Sequence, residues 1–153
     1  MGYLSISNDR KIKYYFIAAT LIISFYSTYT AFYPTESFYE SEFTFNTKIT
    51  FPSSAKFLFK DASYPDIHGD YISIALIEVS TKDYHDILSV VRSWPASKQD
   101  DIYFQAEDKI QEILGNKINY NYEACTLGAQ SNSYFFIRLL DDGKSIIFKY
   151  VNR

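Results

Sequence analysis

Two histidines, one cysteine and 18 carboxylates are the groups in this 153-residue chain from which chemistry could be built. One stretch gathers them at a working spacing. Asp66, His68 and Asp70 stand at i, i+2 and i+4 in Asp66-Ile67-His68-Gly69-Asp70, shortly after Asp61. In an extended segment alternate residues share a side, so the two carboxylates and the imidazole would face one way. That donor set suits zinc or manganese, and a catalytic zinc site needs three protein ligands with one open position. His68 alone can also serve as a general base. A third reading needs no chemistry: Asp caps backbone N–H groups, Gly accommodates positive φ, and a turn uses both. The turn is the stronger reading, with Asp66, His68 and Asp70 kept as the metal candidates. His85, the other histidine, falls on a helix predicted further along.

Other routes to chemistry are closed. No Gly-x-Ser-x-Gly elbow and no phosphate-binding Gly-x-x-x-x-Gly-Lys-Ser/Thr loop is present, with only five glycines in the chain. Cys125 is the single cysteine, so neither an internal disulfide nor a cysteine zinc motif can form. A lone thiol in such a chain reads as a small buried hydrophobe. No catalytic residue and no cofactor are assigned.

The elements that must position these groups begin with Tyr14 to Tyr33, twenty residues without a charge. As a helix this stretch would extend roughly 30 Å, the thickness of a bilayer's hydrocarbon core. Arg10, Lys11 and Lys13 precede it, Glu36, Glu40 and Glu42 follow it, and aromatic residues sit at both ends. Positive charge before a span keeps the N-terminus cytoplasmic. Small residues are missing from the −3 positions that a signal peptidase would need. The expectation is an uncleaved transmembrane signal anchor over 14–33. It implies a cytoplasmic 1–13, a stalk over 34–41 and an exported domain over 42–153, in a single-pass protein of a bacterial inner membrane with the C-terminal domain periplasmic.

Within that domain, residues 42–51 alternate strictly, with Phe43, Phe45, Thr47, Ile49 and Phe51 on one side, which predicts a strand. Residues 55–60 alternate again. Residues 71–79 are nearly all apolar and β-branched, as a central strand covered on both faces would be. Ser80 to Asp83 has the form of a capping box, followed by Tyr84, Ile87, Leu88, Val91 and Trp94 at helical spacing and stopped by Pro95. A second amphipathic helix is expected over 97–114, with Ile102, Tyr103, Ala106, Ile110, Ile113 and Leu114 inward and Gly115 as its stop. Strands follow over 118–127, 134–140 and 145–151. Asp142-Gly143 is the preferred pair for a two-residue type I′ hairpin between the last two. The predicted fold is therefore α+β: a transmembrane helix, then an antiparallel sheet of about six strands in the order βββααβββ. Its two helices pack on one face, with Leu88, Trp94 and Ile110 at the contact.

Pro52-Ser53-Ser54-Ala55-Lys56, Asp66 to Asp70, Asp83-Tyr84 and Trp94 together form a pattern that resembles small bacterial exported proteins of unassigned function, tethered by an N-terminal membrane segment or a lipid. The resemblance covers about 45 residues, roughly 52–94. It implies export and a single α+β domain, and no activity.

Composition bounds the partners. The 15 Tyr and 13 Phe favour strands and interfaces alike. From Pro34 onward there are 17 acidic against 12 basic residues, and the lack of a basic patch argues against nucleic acid. The expected function is a non-catalytic protein-binding domain held at the inner membrane through 14–33. One version is an immunity protein neutralising a basic toxin that acts in the periplasm, since complementary charge speeds encounter. The alternatives are a metal-binding or metal-dependent hydrolase domain centred on Asp66, His68 and Asp70, and a structural or accessory subunit of an envelope complex.

Overall fold

The computed structural model describes residues 3–63, 69–94, 107–115, 119–128 and 133–152. The chain divides into two compact units, Met1–Tyr33 and Pro34–Arg153. The first holds one helix, α1 (Tyr3–Phe32). Its apolar residues are spread around the axis rather than gathered in a stripe, and Phe16, Ile22, Phe25 and Tyr29 are all exposed.

Among the described residues no helix is long and apolar enough to cross a membrane. This overturns the expected transmembrane signal anchor over 14–33. It also overturns the single-pass inner-membrane placement with a periplasmic domain that rested on it. The physical reason lies in the side chains: half of the residues from Tyr14 to Tyr33 are Tyr, Ser or Thr, and each hydroxyl dilutes the apolar surface. Thr20, Thr28 and Thr30 turn theirs back onto carbonyls of the preceding turn, those of Phe16, Ser24 and Tyr26, at 2.9–3.1 Å. These hydroxyls are bonded within α1 itself.

The second unit opens with a helix where a stalk and a strand were predicted. α2 spans Glu36–Thr47. Thr35 is extended at its N-cap, and Glu36 places a negative charge against the positive end of the helix dipole. Tyr39, Phe43 and Thr47, at i, i+4 and i+8, are its buried residues. Lys48 ends it in the left-handed region at φ 61°, with its N–H on the Thr44 carbonyl at 3.0 Å. The alternation of Phe43, Phe45 and Thr47 is thus a coincidence of aromatic placement. The helical period that begins at Tyr39 governs, because it alone puts Phe43 between Phe51, Phe148 and Phe135, with ring centroids at 5.5, 5.3 and 6.4 Å.

Five strands, not six, form the sheet: β1 (Lys56–Ala62), β2 (Tyr71–Glu78), β3 (Tyr120–Leu127), β4 (Ser133–Leu140) and β5 (Ser145–Asn152). The spatial order is β1-β2-β5-β4-β3 and every neighbouring pair is antiparallel. The centre is therefore β5, not β2. Seven of its eight residues are buried, as a strand flanked on both sides must be. Asp142-Gly143 does turn the chain, but only Gly143 has positive φ, so no type I′ pair forms. Instead the Asp142 carboxylate accepts from the backbone N–H groups of Lys144 and Ser145, at 3.0 and 2.8 Å, and closes a four-residue loop over 141–144.

Two helices complete the unit, α3 (Thr81–Val91) and α4 (Glu107–Leu114). They do not share a face. Tyr84, Ile87, Leu88 and Val91 of α3 join Tyr39 and Phe43 of α2 over Ala75, Ile77, Ile137, Leu139, Ile146 and Phe148, with Trp94 packed against them. Ile110 of α4 packs with Ile74, Leu76, Leu140 and Ile147, the intervening residues of the same strands. Alternation along a strand sends successive side chains to opposite faces, so α4 covers the side that α2 and α3 leave. Within Pro34–Arg153 the expected arrangement βββααβββ with helices on one face is corrected to αββααβββ, with helices on both. Ile113, predicted inward, is exposed, and Ile102, Tyr103 and Ala106 lie outside the described residues.

Candidate functional site

Asp66 and His68 lie outside the described residues. Asp70 is half-buried at the entry to β2. Beside it Gly69 has φ 84°, and its carbonyl accepts from Asn152 Nδ2 at 3.0 Å. That positive φ is one that glycine adopts without a steric penalty. No group of three or more His, Cys, Asp or Glu side chains placed to hold a metal ion occurs among the described residues. His85 is exposed on α3, edge-on to the Tyr84 ring at 5.7 Å. The sequence also contains a Ser-x-x-Lys spacing, Ser53 to Lys56, of the kind some acyl-transfer enzymes use. Both side chains are exposed, whereas an activated nucleophile needs enclosure and a partnered base. Cys125 is half-buried on β3, and burial with the nearby Glu123 carboxylate pushes its thiol up to about 11, which keeps it protonated and unreactive.

The residues of the Pro52–Lys56 and Asp83-Tyr84 motifs meet for structural reasons. Ser80 Oγ accepts from the Asp83 N–H at 3.1 Å and donates to Asp83 Oδ2 at 2.8 Å. Ser54 accepts from the Ser80 N–H at 2.9 Å and donates to the same carboxylate oxygen. Only half of the expected capping box forms: Ser80 caps the Asp83 N–H, but the Ser80 N–H goes to Ser54, and the Asp83 carboxylate accepts from the two serine hydroxyls instead. The Ser54 hydroxyl, ahead of that of Ser80, holds the Asp83 carboxyl below its ordinary range.

The side chains that converge on open space belong to α2 and the segment after it. A groove of about 690 Å³ is lined by Phe38, Glu40, Glu42 and Phe45 of α2 and by Thr50 and Phe51 where the chain returns. Helical spacing aligns Phe38, Glu42 and Phe45 along one side of α2. Phe51 is held in place by stacking on Phe57 at 5.5 Å and by its edge contact with Phe43. The Phe45 ring is 58% exposed, large for a phenylalanine on a packed helix. The Lys48 ammonium lies 4.6 Å from its centroid while donating to the Phe45 carbonyl at 2.7 Å.

Glu42 forms the floor of this region. The Tyr71 hydroxyl donates to its Oε1 at 2.5 Å, while Oε2 is buried without a hydrogen bond. Burial raises the Glu42 carboxyl above its ordinary value, with the Tyr71 and Ser73 hydroxyls acting in the opposite sense. Burial, then Asp61, then Glu42 push the Tyr39 phenol up to about 12. Tyr71 is raised further, by burial first and then by its bond to Glu42. This assembly offers aromatic faces, carboxylates and hydroxyls, and can recognise a cationic or amphipathic group. Sequence reasoning misses it because the alternation over 42–51 predicts a strand there. The signal that could have found it is the i, i+4, i+8 set Tyr39, Phe43, Thr47 starting just after Thr35-Glu36.

No protein-family model, no curated protein and no solved structure matches the chain.

Proposed function

We propose that the Pro34–Arg153 unit is a non-catalytic protein-binding domain, and that the groove along α2 is where the partner docks. The observation that carries this is the exposed Phe45 ring in an aromatic groove that also holds two carboxylates. Exposed aromatic surface with a charged margin is the composition of recognition sites. The partner's chemistry follows from the lining: a basic segment with apolar residues, whose cations meet Glu40 and stack on Phe45 as Lys48 already does. The acidic balance of the unit adds long-range attraction for the same partner. The narrower reading, an immunity protein against a toxin acting in the periplasm, rests on the membrane span, the acidic charge and the missing catalytic motifs, and loses the first of these.

The test is photo-crosslinking of the full chain in cells, with a benzophenone side chain in place of Phe45 and, as control, in place of Ser89, exposed on α3. A discrete cross-linked protein from position 45 alone, lost when Glu40→Lys reverses the local charge, is the expected result. Identical products from both positions would sink the proposal.

A further inference from the structure

Lys48 ends α2 in a backbone conformation that suits glycine better than lysine. Among the described residues it is the one non-glycine position with positive φ, at 61°. The left-handed region crowds Cβ against the following carbonyl oxygen, and helices that end there commonly do so on glycine or asparagine. Glycine would meet the backbone requirement without that crowding, so what lysine adds at this position is its side chain. That side chain doubles back onto the last turn of α2. Its ammonium donates to the Phe45 carbonyl at 2.7 Å and stands 4.6 Å from the centroid of the Phe45 ring. The carbonyl needs a donor, because the Ile49 N–H that a longer helix would direct to it goes to Thr47 Oγ1 at 3.0 Å. Lys48 and Phe45 are both exposed. The charge is therefore placed over the ring by these two contacts and not by enclosure.

We infer that Lys48 is a built-in competitor at the groove along α2: its ammonium occupies the place over Phe45 that a partner's cation takes, and docking displaces it. The inference rests on the reading of that groove as the docking site of a basic segment. One cation is exchanged for another over the same ring, so the apparent affinity is that of the uncovered groove reduced by the fraction of molecules with Phe45 uncovered. An exposed cation over a ring is held weakly. A segment that also reaches Phe38, Phe51 and Glu40 in the groove outcompetes the lysine, whereas a lone cation gains little. Lys48 thus favours partners that fill the groove over isolated ions.

The experiment uses the full chain with ring-labelled phenylalanine, and the Phe45 signal is assigned by its loss in Phe45→Leu. Tetramethylammonium chloride is exchanged for sodium chloride at constant, high ionic strength, which screens the general effect of removing a charge. Wild type is compared with Lys48→Gln and Lys48→Gly. Lys60→Gln is the control, since Lys60 meets α2 through Glu36 at 3.2 Å and not through Phe45. Glycine accepts the φ of position 48, which keeps the test decisive should Lys48→Gln not fold. The Phe45 signal is expected to titrate at about two- to fivefold lower tetramethylammonium concentration in the Lys48 variants, and at the wild-type concentration in Lys60→Gln. Unchanged midpoints in the Lys48 variants, or an equal gain in Lys60→Gln, overturn the competitor and leave the groove reading standing. No response of Phe45 in any of these proteins overturns the competitor together with cation recognition at the groove.

Discussion

Tyr84 shows how much a single polar atom can settle in this core. It is fully buried on α3, and its hydroxyl donates to the Leu140 carbonyl while accepting from Asn121 Nδ2 at 3.3 Å. That one side chain links a helix to the ends of two strands. Tyr84→Phe keeps the ring and removes the bond, so a loss of about 1–2 kcal/mol is expected, read as a lower denaturant midpoint with unchanged slope. Cys125 makes the opposite case, a group silenced by its surroundings. With its thiol pushed up to about 11, the folded chain should react with a maleimide near pH 8 more slowly than a free cysteine, and denaturant should abolish the difference. Equal rates in both states would refute the burial argument.

At the scale of elements, α3 depends on its first turn. Ser80→Ala removes the acceptor for the Asp83 N–H and should cost about 1 kcal/mol. Ser54→Ala should act on the same element although it lies 26 residues earlier in the chain, and the two losses should not add, because both feed one carboxylate. Asp83 is held below its ordinary value, so its share of the cap is present at neutral pH and lost as pH falls through its folded value. Circular dichroism across acid titration, wild type against Asp83→Asn, checks that sign. α2 carries a different lesson. Its inner row, Tyr39 and Phe43, is structural, while its outer ring, Phe45, is free of the core. Phe45→Ala should therefore leave the thermal midpoint almost unmoved, within about 0.5 kcal/mol.

The whole Pro34–Arg153 unit is a sheet with a core on each face, and those cores meet through the strands. Phe43→Ala opens the side of α2 and α3, and should cost about 3–5 kcal/mol. Ile110→Ala opens the side of α4, and should cost about 2–5 kcal/mol. Because β2, β4 and β5 contribute to both, each substitution should lower one shared unfolding transition. A separate, earlier transition in Ile110→Ala would mean that α4 is an independent layer.

Some of this was determined by sequence alone, wherever a local pattern needed no partner. The Ser80 to Asp83 cap and the Tyr84, Ile87, Leu88, Val91 stripe define α3, because its period and its start signal agree. The apolar runs of β2, β4 and β5 and the turn at Gly143 are equally local. Tertiary structure alone decided the rest. Residues 42–47 alternate like a strand yet coil into α2, because aromatic β-propensity loses to the burial of Phe43 among the rings of nearby Phe51 and distant Phe135 and Phe148. Which strand is central and which face α4 covers depend on pairings between residues some seventy positions apart, and no periodicity records them. The Glu42 contact to β2 exists only once α2 lies on the sheet, and the groove only once the segment after α2 returns beside it. The charge-free stretch from Tyr14 to Tyr33 shows a further limit of local reading: absence of charge resembled a membrane span, while ten hydroxyl-bearing residues among its twenty dilute the apolar surface.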